Sequence, residues 1–243
     1  MTFSQKVIED VLRSYHERGY EGPQQVSREK LDEWKSLPMN IAVIGQPVSG
    51  KSSLINALTG KRRGDDGYAP VGCNETTRNI RQYTHPDNDK LVLTNVPGVG
   101  TMRFLQATYM EDIKVDTYDF FLLLASKQFL EEDVWLAQEL TKRRKGFFLV
   151  RTHTELSVIN GMRDTGLSET EVINRIRAFT LGQRNQYLRD DKLFLVDNYE
   201  TQKYDFKALN NKMIGDFPEL LQEALLLTMR SGGNMARTTM KHS

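Results

Sequence analysis

Residues 45–52 carry the sequence GQPVSGKS, which fits the phosphate-loop pattern G-x-x-x-x-G-K-[ST]. The loop follows the apolar run Ile41 to Ile44 and precedes SSLINAL, a helix-forming stretch. It is expected between a strand and a helix, because its glycines let successive backbone amides point at a phosphate at the helix N-terminus. A glycine-rich turn that happens to precede a lysine is the alternative, and both flanks argue against it. The motif therefore predicts an α/β domain that binds a nucleotide.

The side chains of this loop suit the phosphates and the metal of a nucleotide. Lys51 would supply a point charge to the β- and γ-phosphate oxygens, and the Ser52 hydroxyl would be placed for Mg²⁺. We expect contacts to the nucleotide from Gly45, Gln46, Pro47, Val48, Ser49, Gly50, Lys51, Ser52 and Ser53.

The chain alternates segments with strand and helix patterns. The patterns predict strands at 41–44, 78–84, 90–95, 119–125, 146–151 and 193–196. They predict helices at 4–18, 27–37, 51–60, 131–143, 169–188, 205–216 and 217–229. This order indicates a mostly parallel sheet with helices on both faces, which binds ligands beyond the carboxyl ends of its strands. The site is therefore expected in the loops after residues 44, 95, 151 and 196.

Three regions follow from this pattern. Residues 1–38 are predicted to form an N-terminal helical extension and residues 39–216 a P-loop domain. Residues 217–243 are predicted to be the start of a truncated C-terminal helical region, followed from Ser231 by a tail whose composition is typical of disorder.

Composition and charge leave the class of partner open. The chain has 243 residues, of which 39% are hydrophobic and 27% charged, as in soluble globular proteins. Its 33 Lys and Arg balance 32 Asp and Glu, so net charge does not favour nucleic acid or an anionic membrane. Cys73 is the only cysteine, which excludes an internal disulfide and suits a reducing compartment. We expect a cytoplasmic protein that binds no nucleic acid.

No targeting or anchoring signal is expected. Charges interrupt the opening MTFSQKVIEDVL, and the apolar run Phe120 to Ala125 is far shorter than the roughly 18 residues of a membrane span. Thr2 excludes N-myristoylation, and the ending MKHS is no prenylation box. Any association with intracellular membranes is therefore expected to be peripheral.

Two further segments are typical of loops that sense the γ-phosphate and Mg²⁺. The segment NVPG, from Asn95 to Gly98, ends an apolar strand where a D-x-x-G element would place an acid near the metal. In this chain Asn95, an amide, stands at the position of that acid. Thr77, in the segment GCNETT, would close over Mg²⁺ from a flexible loop. Considered alone, Thr76 and Thr77 fit a strand edge equally well.

Several segments together resemble one family. They are similar to the immunity-related GTPases, which are interferon-inducible resistance GTPases of vertebrates. The segments that carry the resemblance are GQPVSGKSSLINAL, GCNETT, NVPGVGTMRF, YDFFLLLASKQFLEEDVWLA, FFLVRT and YDFKALNNKMIGDFPELLQEALLL. The resemblance covers roughly residues 5–230. The run YDFFLLLAS, followed by F-x-x-x-D and then LA, is more diagnostic of this family than the phosphate loop.

The resemblance implies a Ras-like P-loop GTPase domain whose helical lead-in packs against a C-terminal helical domain. Members bind GTP and Mg²⁺, hydrolyse GTP to GDP and phosphate, and self-assemble through their nucleotide faces with activation in trans. They act in innate immunity against vacuole-dwelling pathogens. By position, Thr77 would serve Mg²⁺ and Glu75 would be needed for activated hydrolysis, so the expected catalytic set is Lys51, Glu75 and Thr77. The family's long C-terminal domain is nearly absent here, so targeting through it is not expected.

The loops that would contact guanine depart from the family pattern. Family members have Thr-Lys-x-Asp after the strand, whereas this chain has Thr152, His153 and Glu155 in that register. Glutamate keeps the charge but moves it by one methylene, and histidine is a shorter substitute for lysine. Asp197 and Asn198 fit the last base-contacting loop, where relatives commonly have Ser-Asn. We expect guanine binding with weak selectivity.

Two departures concern the metal and the attacking water. Asn95 replaces an aspartate and removes a charge near Mg²⁺, but its amide oxygen would still accept from a metal-bound water. Metal binding through Ser52, Thr77 and, indirectly, Asn95 should weaken rather than vanish. Val99 stands where Ras-type enzymes have a glutamine that orients water, so hydrolysis in isolation should be slow.

Two functional hypotheses fit these residues. The first is a slow GTPase activated by self-assembly, and the second is a catalytically poor binding module that regulates the assembly of related GTPases. The phosphate loop favours the first, whereas Asn95, Glu155 and the short C-terminal region favour the second. Both imply guanine nucleotide and homo- or hetero-oligomers formed through the nucleotide face.

Other conspicuous residues are expected to have structural roles. The basic run Lys142 to Lys145 is predicted to favour a helix dipole and a solvated loop rather than to bind a membrane or nucleic acid. The scattered histidines His16, His85 and His242 indicate no structural metal site. Trp34 and Trp135 are expected to pack rather than to stack on a ligand.

Overall fold

Strand β1 (Met39–Gly45) is an interior strand of the sheet, and the phosphate loop starts at its carboxyl end. The structure is a computed structural model that describes residues 38–72, 79–86, 88–100, 104–127, 129–182 and 190–214, together with Arg13. Every residue of β1 is buried, because a strand pairs with it on each side and apolar clusters cover both faces.

The described strands form one mostly parallel sheet in the order β2-β3-β1-β4-β5-β6. Beside β1 they are β2 (Arg81–His85), β3 (Asn88–Asn95), β4 (Phe120–Ala125), β5 (Gly146–Arg151) and β6 (Leu193–Leu195). Strand β1 pairs in parallel with β3 and β4, β5 and β6 continue in parallel, and β2 runs antiparallel to β3 at the edge. The predicted α/β fold class is confirmed. The chain passes from β1 to β3 on one side and to β4 on the other, which opens a crevice at the end of β1.

Helices pack on both faces of the sheet. They are α1 (Lys51–Thr59), α2 (Tyr109–Asp112), α3 (Glu131–Lys142), α4 (Thr154–Thr165), α5 (Glu169–Gly182) and α6 (Phe206–Ile214), with 3₁₀ turns at Val115–Thr117 and Asp190–Lys192. One apolar cluster includes Leu54 of α1 and Leu209 of α6, and the other includes Tyr109 of α2 and Leu136 of α3. Each fully buried side chain of this size contributes roughly 1.5 to 3 kcal/mol.

Within the described residues, the predicted elements agree with the structure in kind and differ at several bounds. The strand predicted at 78–84 lies at Arg81–His85, the strand at 193–196 ends at Leu195, and the helix at 205–216 is described as Phe206–Ile214. The helix at 169–188 is described to Gly182. Helices α2 and α4 are not predicted by the sequence pattern.

Helix α4 escapes prediction because its sequence, TELSVINGMRDT, contains a glycine and exposes several apolar side chains. Leu156, Ile159 and Met162 all face solvent, so the segment lacks the usual apolar stripe. Gly161 has a packing reason, because a Cβ there would lie 2.6 Å from Val172 Cγ1 on α5. The glycine therefore lets the two helices approach closely.

The basic run after α3 is largely tied to neighbouring groups. Lys142 and Arg143 both pair with Glu139 on the preceding turn. Lys145 Nζ donates to the Tyr118 carbonyl at 2.9 Å. These contacts favour the structural role predicted for the run.

Several predictions fall outside the described residues. These are the helices at 4–18, of which only Arg13 is described, 27–37 and 217–229, the tail from Ser231, and the segment with Glu75 and Thr77. The predicted division into three regions therefore stays a prediction. Within the described part of the chain, no helix has the length and apolarity needed to cross a membrane.

Candidate functional site

The phosphate loop curls at its two glycines. Gly45 has a φ of 142° and Gly50 a φ of 85°, and residues that carry a side chain rarely adopt these backbone angles. A Cβ on Gly45 would also lie 2.3 Å from the Leu124 carbonyl oxygen. Gly50 is the N-cap of α1, and no side chain of the described residues caps this helix, as is typical of a helix N-terminus that binds an anion.

Lys51 is buried at the first position of α1, with 5% of its surface exposed. Its Nζ donates to the Gln46 carbonyl at 2.7 Å and to the Gly45 carbonyl at 3.3 Å. The ammonium group is thus held inside the curl of the loop by its own backbone. An anion bound in this loop would be met by a cation already in place.

Ser52 lies against the end of β3. Asn95 Nδ2 is 2.9 Å from Ser52 Oγ, and both side chains are buried. Asn95 Oδ1 is buried and has no hydrogen-bond partner in the part of the chain that the structure describes. The structure therefore brings together two of the three residues predicted for Mg²⁺, and Thr77 lies outside the described residues.

The NVPG segment packs on the phosphate loop at Gly98. A Cβ at this position would lie 2.6 Å from the Pro47 nitrogen, so only a glycine allows this approach. Val99 is buried, and it offers no polar group to a water molecule.

A cluster of three aromatic side chains supports the NVPG segment, and the sequence analysis did not identify it. The hydroxyl of the fully buried Tyr109 donates to the Pro97 carbonyl at 2.9 Å. Phe104 and Trp135 meet the Tyr109 ring edge to face, at centroid distances of 6.4 and 6.3 Å. Trp135 therefore packs, as the sequence predicts, and it does so under the site.

Two loops predicted to contact the base are bonded to the phosphate loop. Thr152 Oγ1, fully buried, donates to the Ser49 carbonyl at 2.9 Å. Asn198 Nδ2 donates to the Gly50 carbonyl at 3.3 Å. The carboxyl ends of β1, β5 and β6 thus form one hydrogen-bonded unit.

Two of the predicted guanine contacts, Glu155 and Asn198, carry buried polar atoms that have no partner among the described residues. His153 is the N-cap of α4 with a φ of 53°, and its Nδ1 lies 3.8 Å from Glu155 Oε1. Glu155 Oε2, Asn198 Oδ1 and Ser49 Oγ are buried and have no hydrogen-bond partner among the described residues. Buried polar atoms normally have partners, so a ligand with hydrogen-bonding groups would satisfy this cluster.

Asp197 hydrogen-bonds within its own loop, and its predicted contact with the base stays a prediction. It is buried, and its Oδ1 accepts from the backbone amides of Tyr199 at 2.8 Å and Glu200 at 3.2 Å. This carboxylate oxygen shapes the loop that carries Asn198.

Asp133 borders the site, although the sequence showed it only as the last residue of F-x-x-x-D. Its Oδ2 accepts from the Leu130 amide at 3.0 Å, at the start of α3, and from Gln46 Nε2 at 3.2 Å in the phosphate loop. Asp133 Oδ1 is buried, and no residue in the described ranges hydrogen-bonds to it. Burial raises the pKa of Asp133 to about 6, although the Leu130 and Gln46 hydrogen bonds lower it.

We expect Asp133→Asn to stabilise the fold at neutral pH. The pKa of about 6 in the folded chain exceeds the unfolded value of about 3.9, so folding favours the protonated acid. Stability from this group is fully present below about pH 4 and is lost as the pH rises through about 6. The variant should gain up to about 3 kcal/mol in unfolding free energy at about pH 7.5, and the gain should fade towards about pH 4.

Urea unfolding of both proteins at the two pH values measures this difference. The exposed Asp164→Asn is the matched control and should change stability by less than about 0.5 kcal/mol. A gain that is the same at both pH values would show that the charge of Asp133 is not its cause.

The described residues do not form a good Mg²⁺ site. Mg²⁺ in proteins prefers one or two carboxylates together with substrate phosphates. Ser52 Oγ already contacts an amide, and Asn95 carries no charge. Within the described ranges, no group of three His, Cys, Asp or Glu side chains is placed to hold a metal ion.

Comparison with known proteins finds similarity along most of the chain. A family model described as interferon-inducible GTPase matches residues 4–236. T-cell-specific guanine nucleotide triphosphate-binding protein 2 of Mus musculus is 31% identical over 204 residues, which are 83% of this chain and 49% of that protein. Interferon-inducible GTPase 5 of Rattus norvegicus is 33% identical over 225 residues, or 90% of this chain and 48% of that protein.

The chain spans about half the length of these curated relatives. Among solved structures, NFeoB from S. thermophilus bound to mGMPPNP is 17% identical, with a TM-score of 0.46 over 74% of this chain and 62% of that chain.

Proposed function

The chain belongs to the interferon-inducible GTPase family, and we propose that it binds guanine nucleotide at the phosphate loop and hydrolyses GTP slowly. The observation that carries this proposal is the hydrogen bonding of three loops into one unit. Thr152 and Asn198, two of the predicted base contacts, donate to the Ser49 and Gly50 carbonyls, which directly precede Lys51 in the chain. A nucleotide would then meet a buried cation at one end and buried hydrogen-bonding atoms at the other.

Binding is tested by identifying the nucleotide that co-purifies with the protein. The purified chain is denatured, and the released nucleotide is compared with guanine and adenine standards by ion-exchange chromatography. Guanine nucleotide, or heat on calorimetric titration of the emptied protein with GDP, supports the proposal. Adenine nucleotide alone, together with no heat from GDP, contradicts it.

Slow hydrolysis follows from what flanks Gly98. Val99 is buried and apolar, so this position contributes no group that orients an attacking water. We propose that a second copy completes the site, with Glu75 acting across the nucleotide face as the family resemblance implies. Glu75 and Thr77 lie in the segment 73–78, outside the described residues.

The rate of phosphate release per molecule is therefore expected to rise with protein concentration. An increase of about tenfold across the range in which the protein associates would correspond to roughly 1.4 kcal/mol of barrier lowering. Glu75→Ala should remove the increase, while Glu111→Ala, an exposed acid on α2, should not. The measurement is phosphate release at increasing protein, with association followed by light scattering.

A flat rate would favour the second function, a binding module that regulates the assembly of related GTPases. The neutral Asn95 and the longer acid Glu155 are the observations that favour it. Under either function we propose a cytoplasmic protein in cell-autonomous innate defence, which forms homo- or hetero-oligomers with related GTPases. Contact with intracellular membranes would be peripheral.

A further inference from the structure

The contact between Ser52 and Asn95 joins the start of α1 to the end of β3. Ser52 is 7% exposed and Asn95 is 3% exposed, so bulk water hardly reaches either side chain. The hydroxyl oxygen that a metal would bind faces the amide nitrogen of Asn95 at 2.9 Å. One lone pair of Ser52 Oγ is therefore directed at a hydrogen-bond donor.

The charge near Ser52 disfavours a divalent cation. An asparagine amide is neutral in either orientation, so turning Asn95 over would not supply the missing negative charge. Asp133 is a buried carboxylate beside the phosphate loop, and its Oδ2 accepts from the Leu130 amide and the Gln46 side chain. Its Oδ1 has no partner among the described residues, but no hydrogen bond joins Asp133 to Ser52 or Asn95. At Ser52, Mg²⁺ would therefore meet a hydroxyl that already accepts a hydrogen bond and a neutral amide.

Lys51 and the N-terminus of α1 would balance the negative charge of the phosphates without a metal ion. Lys51 Nζ is held inside the loop by the Gly45 and Gln46 carbonyls. The amides at the start of α1 are not capped by a side chain, and they lie at the positive end of the helix dipole. These groups act on phosphate whether or not a metal is present.

We propose that this chain binds a nucleoside diphosphate almost equally well with and without Mg²⁺, because Asn95 replaces the charge that would couple the metal to Ser52. This inference rests on the proposed function, since it concerns the same site.

The test is calorimetric titration of the full chain with GDP, once in excess Mg²⁺ and once in excess EDTA. The dissociation constants should agree within about threefold. This comparison uses the unmodified protein, so it does not depend on whether any variant folds.

Asn95→Asp should restore the dependence on Mg²⁺. A carboxylate here would accept a hydrogen bond from the Ser52 hydroxyl and attract the metal, but it would repel the phosphates when the metal is removed. The variant should bind GDP about tenfold or more weakly in EDTA than in Mg²⁺. Asn160→Asp adds the same charge on the exposed face of α4, and it should leave the two constants as close as in the unmodified protein.

The outcomes separate this inference from the proposed function. A loss of tenfold or more on EDTA treatment of the unmodified protein would overturn the inference alone, because GDP would still bind in Mg²⁺. GDP binding in neither buffer would overturn the proposed function, and the inference with it. Equal constants for the unmodified protein, with a metal-dependent Asn95→Asp, support both.

Discussion

Replacing Lys51 by alanine is expected to weaken GDP binding by about tenfold to a hundredfold or more. A hydrogen bond to a charged group contributes about 1.5 to 3 kcal/mol, and each 1.4 kcal/mol is a factor of about ten in affinity. The effect should be near the upper end of this range, because Lys51 is buried and water cannot easily replace its charge.

Calorimetric titration with GDP measures the loss, and thermal unfolding without nucleotide shows whether Lys51→Ala still folds. Lys207→Ala, which removes an exposed lysine from α6, is the matched control and should bind GDP normally. If folded Lys51→Ala protein binds GDP as tightly as the unmodified chain, the nucleotide does not lie in this loop.

The double change His153→Lys with Glu155→Asp is expected to strengthen guanine binding by roughly 1 to 3 kcal/mol, or about five- to 150-fold. Glu155 Oε1 lies 3.8 Å from His153 Nδ1, and Oε2 is buried with no hydrogen-bond partner among the residues that the structure describes. A bidentate pair with a base edge requires close placement of both oxygens, and one extra methylene is enough to spoil it. A shift of the loop that lets Glu155 reach the base is the alternative.

Competition of GTP, ATP and XTP against a fluorescent guanine nucleotide distinguishes these possibilities. We expect the unmodified chain to prefer GTP over ATP by a small margin, and the double variant by a larger one. Glu169→Asp shortens an exposed acid on α5 by the same methylene and should change nothing. Strong guanine preference in the unmodified chain, with no gain in the variant, would show that Glu155 already pairs well with the base.

Local features of the fold could be predicted from the sequence. The phosphate loop, the apolar run before it and the helix after it lie within about twenty residues of one another, and each is set by neighbouring side chains. Strand β4 is likewise visible, because its six residues are all apolar and all buried. Helix α4 is not visible, because packing against Val172 rather than propensity accounts for Gly161.

Contacts between distant residues could not be predicted. Asp133 carries no sign of its hydrogen bond to Gln46, which lies 87 positions away in the chain. The role of Gly98 looks like that of a phosphate sensor in the sequence, and only the structure shows how closely it meets Pro47. The orientation of Asn95 towards Ser52 also depends on the pairing of β1 with β3.

The bonds that brace the phosphate loop also tie nucleotide binding to the completion of folding. Thr152 bonds to a residue 103 positions away, and Asn198 to one 148 positions away. Contacts between residues so far apart in the chain form only when β1, β5 and β6 have joined one sheet. A partly folded chain therefore has the loop sequence but not the hydrogen bonds that brace the loop. A nucleotide present at about 100 times its dissociation constant would then add about 2.7 kcal/mol to the stability of the whole domain. The fraction of unfolded molecules that a protease can cleave would fall about a hundredfold. The concentration of nucleotide in the cell would then affect the rate at which this protein is degraded.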